Sequence, residues 1–159
     1  MAVGTVVSAY GQIQAGKGQK AGADFNASII DRNAKVATKE AEQIGRIASY
    51  NLQENEKEFK ILNDRTVMAY GKNGWMTGSG TPFKKAMANV VEFQKDQEIA
   101  RYNTKVRQNE KIESATNMRL QAELKRYEGR AQLKAARTQA MGTLLSGFGK
   151  IASNSTMMT

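Results

Sequence analysis

Helical spacing would set Glu54 one turn from Glu58 and Glu110 one turn from Glu113, an arrangement in which two carboxylates can divide acid and base work. Lys57 and Lys111 stand beside them, and no apolar run surrounds them to desolvate a carboxyl, so they read as a solvated helix face. The stretch 71–80 has the glycines of a phosphate cradle but lacks P-loop spacing and the terminal Lys-Ser/Thr, and no buried strand precedes it. The sequence contains no cysteine and no histidine, which excludes thiolate nucleophiles, the usual zinc sites and the Ser-His-Asp and Cys-His arrangements. The expectation is a protein that is not an enzyme and that carries no catalytic, cofactor-binding or metal-ligating residue.

Two groups of residues point to binding instead. Arg119, Lys125, Arg126, Arg130, Lys134 and Arg137 crowd about five helical turns against only Glu123 and Glu128, a density that attracts phosphate without reading sequence. A solvated face or an acidic protein partner would account for the same cluster. Trp75, the only tryptophan, stands with Met76 in the glycine-rich break. Such a pair can anchor in a partner's pocket or at a membrane interface, or fold back over the end of the helices.

The elements that must carry these residues follow from composition. Of 159 residues, 29 are Leu, Ile, Val or Phe, below the share at which a self-sufficient core is expected, and the net charge is +9. One proline, Pro82, leaves long stretches free of the commonest helix breaker. A seam runs Ile30, Ala34, Ala37, Ala41, Ile44, Ala48, Leu52 in steps of three and four, continued less regularly by Phe59, Leu62 and Val67. This predicts a helix over 28–70. Four glycines and the proline then mark a loop over 71–82, with Thr81 as helix cap and Pro82 in the first turn. From 83 to 141 the Ala, Glu, Lys, Leu and Arg content is that of a coiled coil, with apolar positions at Phe83, Met87, Val90, Ile99, Tyr102, Val106, Leu120, Leu124, Tyr127 and Ala131.

The glycine-rich segments 1–27 and 142–159 read as a flexible arm and an apolar tail. Lysines placed after the apolar part of the first 20 residues argue against a secretory signal, and no apolar run is long enough for an obvious transmembrane helix. Ile47-Ala-Ser-Tyr-Asn51 is echoed by Ile99-Ala-Arg-Tyr-Asn103, which folding at the break brings to similar height. The expected fold is therefore all-α, a long antiparallel helical hairpin of 28–141 with flexible ends. Its thin seam would have to be completed by copies of itself or by a partner.

The break ending in Gly78-Ser-Gly-Thr-Pro82, a second helix with Asp96 and Arg101-Tyr-Asn103, a Gln/Ala/Arg-rich run and a closing Ala140-Met-Gly-Thr-Leu-Leu-Ser-Gly147 resemble the small internal virion proteins of short-tailed bacteriophages. Ser8-Ala-Tyr-Gly-Gln-Ile-Gln-Ala-Gly-Lys-Gly-Gln19 is similar to the start of those proteins. The resemblance implies a structural protein of the capsid interior or tail, ejected with or before the genome. It further implies a homo-oligomeric ring or tube, formed with other virion or ejection proteins, that conducts double-stranded DNA across the host envelope and meets its membrane. Two other readings stand beside it: a nucleic-acid-binding coiled-coil protein, and a tail or head–tail connector subunit that stays in the particle.

Overall fold

The computed structural model describes residues 2–74, 78 and 80–155. They form two helices, α1 (Ala2–Lys72) and α2 (Gly80–Ser155), with no strand among the described residues. The all-α hairpin expected from sequence is what the chain forms, but both helices outrun their expected limits. The described parts of the expected arm and tail, 2–27 and 142–155, are helical. Glycine in a helix interior costs about 1 kcal/mol against alanine, so something must compensate for the glycines of these segments.

Between the helices, Asn73 N donates to Ala69 O at 3.3 Å and Gly74 N to Gly71 O at 3.1 Å, with Gly74 at φ 76° in the left-handed region that ends helices. Gly80 at φ 71° opens α2, two residues before the buried Pro82. Helix α2 thus begins slightly before the expected Thr81 cap, and its proline lies in the first turn, where a missing N–H is tolerated.

The chain divides into two compact units, residues 1–35 with 115–159 and residues 36–114. In the first, small residues recur every seventh position along the buried line: Ala9, Gly16 and Ala23 on α1, and Ala115, Ala122, Gly129 and Ala136 on α2. A Cβ on Gly16 would sit 2.5 Å from the Ala136 Cβ, one on Gly129 would sit 2.7 Å from the Ala23 Cβ, and one on Gly147 would sit 2.9 Å from Thr5 Cγ2. These three glycines let the antiparallel backbones approach closely, and the dispersion attraction this closeness adds along the seam offsets their cost in helix propensity. Arg126 pairs with Asp31, and Thr143 Oγ1 lies 3.4 Å from Gln12 Oε1.

In the second unit the seam is more polar. Gln108 Nε2 donates to the Ala41 carbonyl at 3.0 Å and Gln97 Nε2 to the Leu52 carbonyl at 3.3 Å, so side-chain amides cross from α2 to the backbone of α1. These two hydrogen bonds bracket Tyr50 and Tyr102 in register, and both tyrosines face solvent. Phe59 and Phe93 stack with ring centroids 4.1 Å apart and planes 5° from parallel. Asn63, one turn from Phe59, has a buried Oδ1 with no hydrogen-bond partner.

The α1 seam matches the expected one from Ile30 to Leu52, whose members are all buried or half-buried, whereas Leu62 is exposed and Asn63 occupies its place. The α2 stripe is corrected. Of its expected members only Val90 is half-buried, and Ile99, Tyr102, Leu120, Leu124 and Tyr127 point outward. The real seam of α2 is Ala86, Val90, Phe93, Gln97, Thr104, Gln108 and onward through Ala115, Ala122 and Gly129. Packing favours the small face because it allows close helix approach, and hydrophobicity alone points to the wrong side.

Candidate interaction faces

Each helix in the first unit carries a second stripe on the side away from the seam. On α2, Leu120, Leu124, Tyr127, Ala131, Met141 and Leu145 are all exposed and precede seam positions by two residues, as do Lys134 and Thr138, which interrupt the stripe between Ala131 and Met141. Two residues turn a helix by about 200°, which sets this edge nearly opposite the seam. On α1 the corresponding edge reads Gly4, Ser8, Gly11, Ala15, Gly18 and Gly22 in alternating steps of four and three, then Phe25 and Ile29, all exposed. A Cβ added at Gly4, Gly11, Gly18 or Gly22 would meet nothing within 4 Å. Nothing in the described fold of these residues uses those four glycines.

The six cations singled out by sequence divide four ways. Lys125 lies on a flank of α2 with Glu128, which it pairs at 2.8 Å among neutral polar neighbours such as Gln121 and Gln132. Arg126 turns toward the seam and is held by Asp31. Arg130 and Arg137, seven residues apart, share the opposite flank, whereas Arg119 lies seven residues before Arg126 on the seam side and Lys134 stands on the outer edge itself, seven residues from both Tyr127 and Met141. Arg119 has an interaction of its own within the chain, and Arg130, Lys134 and Arg137 are exposed. The six cations thus form no single stripe, and only Arg130 and Arg137 share a flank clear of both the seam and the apolar edge. Trp75 and Met76 lie outside the described residues.

The carboxylates of the sequence reading lie in the second unit on exposed surface. Glu54 accepts from Lys57 at 2.9 Å, while Lys111 reaches across to Glu40 at 2.7 Å and leaves its neighbours Glu110 and Glu113 in solvent. Beside the Phe59–Phe93 stack runs an open groove of about 640 Å³, lined by Glu56, Lys60, Asn63, Gln97, Glu98 and Arg101. Its charges are mixed. Among the described residues no cluster of three or more His, Cys, Asp or Glu could hold a metal ion, and no helix is long and apolar enough to cross a membrane.

What sequence reasoning missed is the pair of edges and the seam glycines. The signal for the seam was present, since Ala115, Ala122, Gly129 and Ala136 repeat every seven residues. Fold and faces together define a class: an all-α hairpin in which small residues zip the unit of 1–35 and 115–159, with many of the large apolar side chains exposed. In comparison with known proteins, no family model, no curated protein and no solved structure matches the chain.

Proposed function

We propose that this chain is a structural subunit of a bacteriophage virion, released with or before the genome, that assembles with copies of itself into part of a conduit for DNA across the host envelope. One observation carries the assembly half of this reading. Every fully buried hydrophobic residue among those described is an alanine, while Phe25, Leu124, Tyr127 and Leu145 are about two-thirds exposed. Such a chain leaves its driving force for association unspent until other chains cover it.

The conduit half draws on the resemblance in the sequence and on the exposed cations Arg130, Lys134 and Arg137 of α2. Exposed cations attract phosphate without reading sequence, and such non-specific charge lets DNA slide. The partners are further copies, other virion or ejection proteins and double-stranded DNA, with the host membrane met after release. The locations are the capsid interior or tail, then the cell envelope.

The test compares the protein content of particles before and after genome release. Loss of the chain from emptied particles, with its appearance in the envelope fraction of infected cells, is the expected result. Retention in emptied particles would instead favour a tail or head–tail connector subunit. The same exposed cations favour a second reading, a nucleic-acid-binding coiled-coil protein. Under that reading, reversing Arg130, Lys134 and Arg137 abolishes the protein's function together with DNA binding, while self-assembly is irrelevant to it.

A further inference from the structure

We infer that the open end of the hairpin carries a lipid-binding face, one broad side of residues 4–23 and 129–147 that lies on a membrane with anionic headgroups. The inference rests on the membrane contact in the reading above, and on neither self-assembly nor DNA passage. Charge is zoned along this unit. No Asp or Glu occurs in 1–23 or in 129–159. Asp24 and Glu128, the first carboxylates met from the open end, stand level across the seam, since Ala23 faces Gly129, and each already pairs with a lysine, Lys20 and Lys125 respectively. Beyond them Lys17, Arg130, Lys134 and Arg137 are exposed, with no ion pair among the described residues. By the same register these four cations fall within about 10 Å of one another along the helix axes.

The two helices set these cations on one side. Gly16 and Ala136 face each other and serve as the origin on their helices. At about 100° per residue, Lys17 and Tyr10 turn by about 100–120° from Gly16, and Arg137 and Arg130 turn by the same amounts in the same sense from Ala136. Met141 and Lys134 follow at about 140–160°. In an antiparallel pair, equal turns of the same sense reach the same broad face. Two cross-helix contacts bear out the correspondence: Asp31 pairs with Arg126 on this side, and Gln12 meets Thr143 on the other. That other face presents Gln19, Gln132 and Gln139 with Ser8 and Ser146, all exposed and uncharged.

The occupant is lipid because this face holds two kinds of group at once. Val6, Tyr10 and Met141 are more than half exposed beside the four cations. A DNA duplex would take the cations and leave those three side chains in water. An anionic membrane takes both: headgroup phosphates meet the cations, and the apolar side chains sink to the boundary of the acyl chains, with tyrosine at its usual interfacial depth. The lack of carboxylates on this face removes the repulsion that an anionic surface would otherwise meet. The contact is with the membrane surface, as no described helix is long and apolar enough to cross a bilayer.

Sedimentation of the full-length protein with lipid vesicles is the test. Binding to phosphatidylcholine vesicles that contain phosphatidylglycerol should be at least about tenfold tighter than binding to phosphatidylcholine alone. Gln14→Glu and Gln139→Glu form a matched pair, since both glutamines are exposed, nearly level and gain the same charge, but only Gln14 stands on the lipid face. Gln14→Glu should weaken binding to the anionic vesicles at least about threefold, and Gln139→Glu should leave it within about twofold. Tyr10→Ser with Met141→Ser should weaken vesicle binding about tenfold and leave binding to a DNA duplex unchanged. Circular dichroism checks that each variant keeps its helices, and should the serine pair lose them, the glutamate pair still decides. Equal losses from the two glutamate variants would overturn the lipid face. Vesicle binding untouched by a folded serine pair would overturn it in favour of a general polyanion surface. A wild-type chain without preference for the anionic vesicles would overturn both the face and the membrane contact, while release from the particle is read separately.

Discussion

A Cβ on Gly16 would stand 2.5 Å from the Cβ of Ala136, closer than side chains ever pack, so these two residues set the spacing of the helices where they cross. Gly16→Ala is therefore expected to destabilise the protein by about 1–3 kcal/mol through overpacking, despite alanine's better helix propensity. Ala136→Gly in the same chain should recover most of that loss. Urea unfolding of the two single variants and the double variant measures the coupling.

Asn63 suggests a change of the opposite sign. Its Oδ1 is buried without a partner beside the Phe59–Phe93 stack, and an unsatisfied acceptor costs about 1–3 kcal/mol. Asn63→Leu should raise the melting temperature, whereas Asn63→Asp should lower it by burying a charge. Thermal melts followed by circular dichroism give both answers.

The crossing amides are expected to matter more than their number suggests. Gln108 donates to the Ala41 carbonyl and occupies the space beside Gly45, where an added Cβ would come within 2.4 Å of Nε2. Gly45→Ala should displace that amide and cost about 1 kcal/mol net, the loss of one hydrogen bond. A Gly45→Ala, Gln108→Ala double variant that is no worse than either single one would confirm the shared mechanism.

The divided basic cluster makes a prediction about charge. Reversal of Arg130, Lys134 and Arg137 to glutamate should remove binding to a DNA duplex, while Lys125→Glu, on the other flank beside Glu128, should change it by less than about threefold, since Lys125 already spends its charge on that partner. Binding titrations across salt concentration should show the slope of log affinity falling by about 0.9 for each phosphate that the flank no longer neutralises. Equal effects of the two variants would refute the division.

Polar pairs between the helices should contribute modestly to stability. Lys111–Glu40 is a 2.7 Å pair with both side chains nearly half exposed, so Lys111→Gln is expected to cost no more than about 0.5–1 kcal/mol, less in high salt.

How much of this was legible in sequence depended on residue size. Along α1, Ile30, Ile44 and Leu52 mark the same face as Ala34, Ala37 and Ala41, so hydrophobicity and packing agree and the seam could be read. Along α2 they disagree. Leu120, Leu124 and Tyr127 dominate any hydrophobic reading, yet the face that packs is Ala115, Ala122 and Gly129. A helix that turns Leu120, Leu124 and Tyr127 outward defeats the rule that the apolar stripe faces the core. The glycines of the first 22 residues were misleading for a related reason. Glycine as a breaker and glycine as a close-approach residue look alike until the facing helix is known. Trp75 and Met76, the candidate anchor, fall outside the described residues.

The sevenfold repeat of small residues has one more consequence. Sliding one helix past the other by seven positions would again set small against small along that line, Gly16 toward Gly129 in place of Ala136. The seam is thus strong in adhesion and nearly silent about alignment. Within that unit alignment falls to unique polar pairs, Asp31 with Arg126 and Gln12 with Thr143, which serve the zipper as an address rather than as glue.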